Sequence, residues 1–600
     1  MLELRFSQTA GRAFAACDPA SIKHLQILRS RFATATSVNA QEFELELDDL
    51  LVNLREIAVW PSSDPDVRWH PDLLKLVEGN AADALTVQSR LSSQERSSDF
   101  EVKALRGGWS ANLTEFQIKN IAKLLQLVHG ANFSVPGAGK TRVTLAIYQA
   151  KRDMGLVDRM LVVCPKAAFE SWQVEADTCF SSSPLHVAIM DGARLPVADI
   201  VLVNYERLPD ARSTIIQFLQ AGRVLLVLDE AHRMKLGPAG AWGAACIALG
   251  PYAASRMILT GTPAPNGAKD LENLFAFLWP GQGRTAVVGA LSGNDLRTAS
   301  KLLMPLFVRT TKRELDLPEP ELSIRRIQLP ALHRELYDAL LGQVATTVRS
   351  GQQNMEALGK VLLYLLMAAT TPALLATGAS RHEPLPYRIP PIQPPPGSTL
   401  SDLMRDLPQY ELAPKYQETV TIVAENAANG RKTLIWSTFV RNLKSLEVLL
   451  SRFQPAIVHG GSEDRAEQLR RFRQDPDCLV LLSNPATLGE GISLHQVCHD
   501  AVYIDRDFAA GRFIQSLDRI HRLGLAKDVR TRITILVSEN TIDELVEQRL
   551  GIKLRFMGGI LDDPDILELD DLNEEPSVTA GMDSADINAL IKYIGSNATP

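Results

Sequence analysis

Three groups of residues, far apart in the chain, have the types and spacing of a single phosphoryl-transfer site. The string Ser134-Val-Pro-Gly-Ala-Gly-Lys-Thr141 has the make-up of a phosphate-binding loop. Its glycines permit a turn in which the backbone N–H groups of Gly137, Ala138 and Gly139 wrap phosphates, and a following helix adds its N-terminal dipole. Lys140 is placed for the β/γ-phosphates of ATP and Thr141 for a magnesium ion. Ser134 stands where the general pattern G-x-x-x-x-G-K-S/T has its first glycine, which predicts a working loop with an altered entry. About 90 residues further on, Leu225-Leu-Val-Leu-Asp-Glu-Ala-His232 puts two carboxylates at the end of an apolar strand. Asp229 is then expected to hold Mg²⁺ through its water shell, and Glu230 to orient and deprotonate the attacking water. His232 reads as a link between the nucleotide and lobe movement. In the last fifth of the chain, Gln515-Ser-Leu-Asp-Arg-Ile-His-Arg-Leu-Gly524 carries Arg519 and Arg522. These are cations that can neutralise the transferred phosphate once a second lobe brings them to it.

Such a site needs parallel sheets whose strand ends hold the loops. From about 109 to 280, short apolar β-branched runs (Met160-Leu-Val-Val-Cys, Asp199-Ile-Val-Leu-Val-Asn, Val224-Leu-Leu-Val-Leu-Asp, Arg256-Met-Ile-Leu-Thr) alternate with helical patterns. This spacing predicts βαβ units around a parallel sheet. The alternation resumes over about 412–555 with Thr433-Leu-Ile-Trp-Ser, Ala456-Ile-Val-His, Cys478-Leu-Val-Leu-Leu-Ser, Ala501-Val-Tyr-Ile and Arg532-Ile-Thr-Ile-Leu-Val, a second α/β lobe. Between them, 281–383 is helical by pattern and reads as bracing for the lobes. The seven prolines of Pro384–Pro396 then predict a stiff, exposed linker over 384–411. Residues 1–108 have helix-like spacing, as in Phe43-Glu-Leu-Glu-Leu-Asp-Asp-Leu-Leu-Val-Asn-Leu, and form a mostly helical accessory domain without a catalytic motif. The fold class is therefore α/β: two tandem RecA-like parallel-sheet lobes, a helical N-terminal domain and helical insertions.

With 600 residues, 46% of them hydrophobic and 22% charged, the chain can bury several cores. The six cysteines include no CxxC pair, which argues against zinc ribbons and a disulfide framework. No basic stretch leads into an apolar run at the start, and no run of 18 uncharged apolar residues occurs, so neither an export signal nor a membrane partner is expected. The net charge of −7 is unevenly placed: residues 561–600 hold ten acidic residues against Lys592 alone, leaving 1–560 at +2. A near-neutral body leaves room for a basic groove, and the acidic segment 556–600 reads as a solvated, flexible tail.

Taken in order, Gly139-Lys-Thr, Asp229-Glu-Ala-His, Leu259-Thr-Gly-Thr-Pro-Ala-Pro-Asn266 and Gln515-x-x-x-Arg-x-His-Arg-x-Gly resemble the Swi/Snf-type branch of the superfamily-two helicase-like ATPases over roughly 110–555. The resemblance implies an ATP hydrolase that translocates on double-stranded DNA. It implies ATP contacts at Gln117 (adenine), Pro136, Gly489 and Gly491, and coupling roles for His232, Thr260, Thr262 and Gln515. Lys166 with Trp172, and Asn204 with Tyr205, resemble segments that meet the nucleic-acid backbone in the first lobe. Ser437, Thr438, Gly460 and Gly461 do so in the second, Gly460 and Gly461 allowing close approach of a strand and the hydroxyls offering phosphate hydrogen bonds without reading sequence. Phe307-Val-Arg-Thr-Thr-Lys-Arg313 with Leu317-Pro318 resembles the link between the lobes.

Two departures mark a divergent member. Phe508-Ala-Ala510 stands where the family usually has Trp-Asn-Pro, and Leu525 where it has glutamine. The absence of recognisable chromatin-reading modules leads us to expect a prokaryotic, cytoplasmic or nucleoid-associated protein of DNA repair or defence, with protein partners at residues 1–108 or the acidic tail. The alternatives are an RNA- or RNA-polymerase-directed motor of the same family, and a nucleotide-switched scaffold.

Overall fold

The apolar runs read as strands are strands, and most are buried on both faces. In the computed structural model, which describes the chain except residues 10, 62–66, 93–104, 106–107, 193, 235, 262–267, 293–301, 312, 316, 350–354, 379–381, 384–386, 408–409, 463, 489–492, 563–581, 583 and 598–600, the contacts divide into two units that part at Glu314 and Leu315.

The first unit holds two sheets. Five strands, β1 (Leu2–Phe6), β2 (Arg12–Cys17), β3 (Thr36–Asn39), β4 (Glu42–Glu46) and β5 (Val67–Trp69), pair in the order β3-β4-β2-β1-β5. Residues 1–108 therefore carry a five-stranded sheet beside their helices, which the spacing argument did not predict. Leu2, Leu4, Ala13, Ala15, Phe43 and Leu45 are buried with period two, the mark of a half-buried strand. At Glu46/Leu47 the period changes to that of a short helix, Leu47–Val52. A window spanning both periods reads as helix throughout.

Seven parallel strands make the second sheet: β6 (Gly130–Asn132), β7 (Arg159–Val163), β8 (Val187–Ile189), β9 (Ile200–Val203), β10 (Val224–Asp229), β11 (Ser255–Leu259) and β12 (Phe307–Val308), in the order β12-β6-β11-β10-β7-β9-β8. Successive side chains serve opposite cores, as a sheet covered on both faces requires. Leu161, Val163, Val201, Val203, Leu226 and Leu228 pack on one side; Met160, Val162, Ile200, Leu202, Leu225 and Val227 pack on the other. Because β12 lies past residue 280, the lobe runs further along the chain than the helical pattern of 281–383 suggested.

The N-terminal domain is keyed into this lobe by buried polar groups. From the helix Pro71–Ser92, Asn80 donates to the Pro280 carbonyl at 2.9 Å and Asp83 accepts from Arg256 at 2.8 Å and His129 Nε2 at 2.7 Å. His129 Nδ1 accepts the Arg256 N–H at 3.1 Å, so the ring is bound as the neutral Nε2–H tautomer. Burial, with Arg256 beside it, pushes His129 down to about 3 from 6.5. Between those values the unfolded chain binds a proton that the folded chain refuses. This contribution is therefore complete above 6.5 and erodes by about 1.4 kcal/mol per pH unit below it. From pH 7.5 to 5.0 urea unfolding should lose about 2 kcal/mol through this ring, a loss that His129→Asn should remove.

In the second unit β13 (Glu321–Ile327), β14 (Thr433–Trp436), β15 (Ala456–Val458), β16 (Val480–Ser483), β17 (Asp500–Tyr503) and β18 (Arg532–Ser538) form a parallel sheet in the order β13-β18-β17-β14-β16-β15. The expectation of two parallel-sheet lobes is met, with the second sheet gaining β13 from the stretch read as helical. That strand is largely exposed at the sheet edge, so it lacks the apolar run that marks a central strand. The proline-rich stretch is exposed only in part: Pro390, Pro395 and Pro396 are exposed, whereas Tyr387, Ile389 and Leu400 are buried in a core with the helix Met355–Thr370, and Pro384 and Pro386 lie outside the described residues. Proline excludes helix and ladder but leaves the neighbouring side chains free to pack. Part of the acidic tail is also packed. Ser584–Asn597 is a helix with Leu590 and Ile594 buried, and Arg549 holds Asp586 at 2.6 Å. Residues 563–581 of the tail lie outside the described residues. Among the described residues no helix is long and apolar enough to cross a membrane.

Candidate active site

The phosphate loop leaves β6 and enters the helix Lys140–Asp153. Gly137 (φ 81°) and Gly139 (φ 76°) hold the left-handed conformations that the turn needs and that side chains resist. The unusual Ser134 has a structural reason: its hydroxyl accepts the Thr310 N–H at 3.0 Å, and Val135 N–H donates to the Thr310 carbonyl at 3.0 Å. The loop entry is thus tied to the segment after β12, a tether that glycine cannot make. Lys140 Nζ donates to the Ser134 carbonyl at 3.1 Å, and Thr141 follows it in the helix. Pro136 packs on Gly261, where a Cβ would come within 2.7 Å of the proline ring. Gln117 is buried below Ala138: its Oε1 accepts the Thr114 N–H at 3.0 Å and its Nε2 donates to the Ala138 carbonyl at 3.3 Å. Both ends of the amide expected to read adenine thus bond to the protein itself.

Asp229 ends β10, and β11 lies between β10 and β6, so the acidic pair, Thr260 and the phosphate loop gather at the carboxyl end of one sheet. That end is where parallel sheets present ligand sites. Asp229 is held from three directions. Its Oδ2 accepts the Trp172 indole N–H at 2.8 Å, its Oδ1 the Glu230 N–H at 3.0 Å, and its carbonyl the Tyr205 hydroxyl at 2.8 Å. Burial and then Glu230 push Asp229 up to about 6, against the pull of the Trp172 N–H and the Lys140 ammonium. Glu230 has φ 50°, a strained conformation for a residue with a side chain. Its Oε2 lies 3.4 Å from Nδ1 of buried His232, which is 3.3 Å from Thr260 Oγ1. One imidazole nitrogen therefore sits between the Glu230 carboxylate and the hydroxyl of the residue after β11. Thr262, its predicted partner in coupling, lies outside the described residues.

A crowded pair of carboxylates beside a loop of free-turning glycines and a lysine matches the demands of a nucleotide phosphate and a divalent cation. The oxygen donors for the cation are Asp229 and Thr141.

Of the residues matched to strand contacts, Lys166 is exposed at the turn after β7. Asn204 is 4% exposed with its Nδ2 donating to Glu206, so it presents no surface to a strand; the exposed part of its segment is the turn that follows it. Tyr205 is 0% exposed, so its side chain cannot meet a nucleic acid and instead holds Asp229. Similar corrections apply in the second unit. Ser437 is fully buried with its hydroxyl on Asp505 at 2.6 Å, and Asp505 Oδ1 also accepts the Thr438 N–H at 2.6 Å. Thr438 is 5% exposed and its carbonyl accepts from Asn484. Asp505 is the residue the motif reading missed, although an aspartate closing the apolar run Ala501–Ile504 is the signal that picked out Asp229. Gly460 is exposed, whereas a Cβ on Gly461 would overlap the His382 ring. The close approach that requires glycine at 461 is therefore made by the chain itself. Nearby, the buried Glu383 carboxylate accepts the N–H groups of Val440 (2.9 Å) and Arg441 (3.1 Å), capping the helix Val440–Leu449.

Gln515, on the helix Ala510–Leu517, accepts the Arg519 Nε–H on its carbonyl at 2.9 Å. Arg519 is 7% exposed, and its own carbonyl accepts the Leu494 N–H at 2.8 Å. Arg522 is half-buried; burial and then its charge push His495 down to about 4. Gly489 and Gly491 lie outside the described residues.

Two family models match the chain: an SNF2-related domain over residues 133–371 and a helicase conserved C-terminal domain over 414–524, together more than half of it. The nuclear protein STH1/NPS1 of Saccharomyces cerevisiae is 23% identical over 517 residues, covering 77% of this chain and 36% of that protein. The chromodomain-helicase-DNA-binding protein 1-like of Danio rerio is 25% identical over 485 residues, covering 75% of this chain and 43% of its own length. The chain thus spans under half the length of these relatives. Among solved structures, the Sulfolobus solfataricus SWI2/SNF2 ATPase core in complex with dsDNA aligns with 80% of this chain and 99% of its own at 21% identity, with a TM-score of 0.35.

Proposed function

The chain belongs to the SNF2-related, helicase-like ATPases, and on that premise we propose that it hydrolyses ATP to move along double-stranded DNA, remodelling or displacing what is bound there. The observation that carries the reading is the convergence of Lys140, Thr141, Asp229, Glu230 and Thr260 at one sheet end, with His232 linking the base to the neighbouring strand. A scaffold that never hydrolysed ATP would have no use for that set.

In this reading Gly137, Ala138, Gly139 and Lys140 bind the phosphates, and Pro136 and Gly261 fix the loop against β11. Asp229 and Thr141 hold Mg²⁺, which when bound supplies charge neutralisation at the phosphates. Glu230 orients the attacking water and takes its proton. Arg519 and Arg522 supply the positive charge that lowers the barrier at the transferred phosphate. Lys166 and the exposed turn at Gly460 meet the phosphates of the nucleic acid, which makes binding blind to sequence and sensitive to salt.

DNA is favoured over RNA because a relative carries the name chromodomain-helicase-DNA-binding protein 1-like. The test is ATP hydrolysis by the full chain with duplex DNA, single-stranded DNA or RNA. Duplex should stimulate most, and salt should remove the stimulation.

A further inference from the structure

Two segments proposed to meet the nucleic acid each send a buried aromatic donor to the same acidic residue, from opposite faces of one sheet. Trp172 lies six positions after Lys166 on the helix Phe169–Cys179 and packs in the core on one face; Tyr205 follows Asn204 and packs in the core on the other. The indole N–H reaches the Asp229 carboxylate at 2.8 Å and the phenol hydroxyl reaches the Asp229 carbonyl at 2.8 Å. At 1% and 0% exposure neither ring can touch a ligand.

Buried Trp and Tyr usually satisfy their polar ends on whatever acceptor is near. Here both acceptors belong to one residue, and that residue sets the next. Glu230 sits at φ 50° with its N–H on Asp229 Oδ1 at 3.0 Å, a conformation that persists only where surrounding contacts impose it. A shift of the turn at Lys166, or of the turn Tyr205–Arg207 that follows buried Asn204, is therefore carried to Asp229 and on to Glu230 through rigid rings.

We propose that Trp172 and Tyr205 are positioning residues that transmit the binding of a nucleic-acid strand at Lys166 and at the turn that follows Asn204 to the setting of Asp229 and Glu230. The proposal rests on the duplex-motor reading above, and linkage gives a test that separates the two. If strand and nucleotide are coupled, each changes the other's affinity by the same factor, typically about 5- to 150-fold. That factor is measured as the Kd for a fluorescent duplex with and without a non-hydrolysable ATP analogue and Mg²⁺.

In Trp172→Phe and in Tyr205→Phe we expect the factor to fall to within about twofold of unity, while each ligand alone binds within a few-fold of wild type. Tyr205→Phe removes a single oxygen and keeps the test open should Trp172→Phe fold poorly. A wild-type coupling factor in a folded Tyr205→Phe protein, or loss of duplex affinity in step with the coupling, overturns the proposal. Wild-type protein that binds no duplex at all overturns the motor reading instead.

Discussion

Glu230→Gln should bind ATP about as tightly as the wild type and turn it over at least about 100-fold more slowly, the usual range for removal of a positioned general base being about 10²–10⁴. The substitution keeps the side chain's size and its place in the strained turn after β10, so the bonds from Trp172, Tyr205 and the Glu230 N–H to Asp229 are left as they are. What it removes is the negative charge that takes a proton from water. Single-turnover hydrolysis together with equilibrium binding of a fluorescent nucleotide separates the two properties. Hydrolysis at the wild-type rate would mean that another group is the base.

The second large effect is expected at the arginine pair. An arginine supplied to the transferred phosphate is worth about 10³–10⁵ in rate, and the two members are not equivalent here. Arg519 is 7% exposed, its Nε bonds the Gln515 carbonyl and its own carbonyl anchors Leu494. Arg522 is half-buried, with its charge acting on His495. Arg522→Ala should therefore lower nucleic-acid-stimulated turnover by about 10³ while nucleotide affinity and thermal stability stay near wild type. Arg519→Ala should cost turnover and melting temperature together. Stimulated kcat for both variants beside their melting curves decides it, and undiminished turnover in Arg522→Ala would remove it from the reaction.

How much of this was legible in the chain follows from what each signal encodes. Parallel strands buried on both faces leave continuous apolar runs, so β7, β9, β10, β14, β16 and β18 are read directly from Met160–Val163, Ile200–Val203, Val224–Leu228, Thr433–Trp436, Val480–Ser483 and Arg532–Val537. Strands with an exposed face and only a few residues do not announce themselves. The N-terminal sheet is hidden because its strands, of three to six residues, merge with the helices beside them, and β13 because it is largely exposed at the sheet edge and carries no apolar run.

At the site, backbone requirements are visible as residue types: glycines at 137 and 139, and an acidic pair closing an apolar run. What a side chain bonds to is not. Tyr205 and Ser437 look like surface polar groups in the motifs that carry them, yet the fold turns both inward, one onto the Asp229 carbonyl and the other onto Asp505. Serine at 134 reads as a departure from a pattern until the Thr310 N–H is seen on its hydroxyl. Each of these partners lies between 24 and 176 residues away in the chain, beyond the reach of any local spacing rule.

The claim that the protein is a duplex-driven motor is met most directly by steady-state ATP hydrolysis of the full chain, with duplex DNA, single-stranded DNA, RNA or no nucleic acid, each at low and high salt and beside Glu230→Gln. The account predicts strong stimulation by duplex DNA, its loss at high salt as counterion competition grows, and no hydrolysis above background in the variant. Stimulation by RNA in preference to duplex DNA, or a rate unchanged by any nucleic acid, would contradict it.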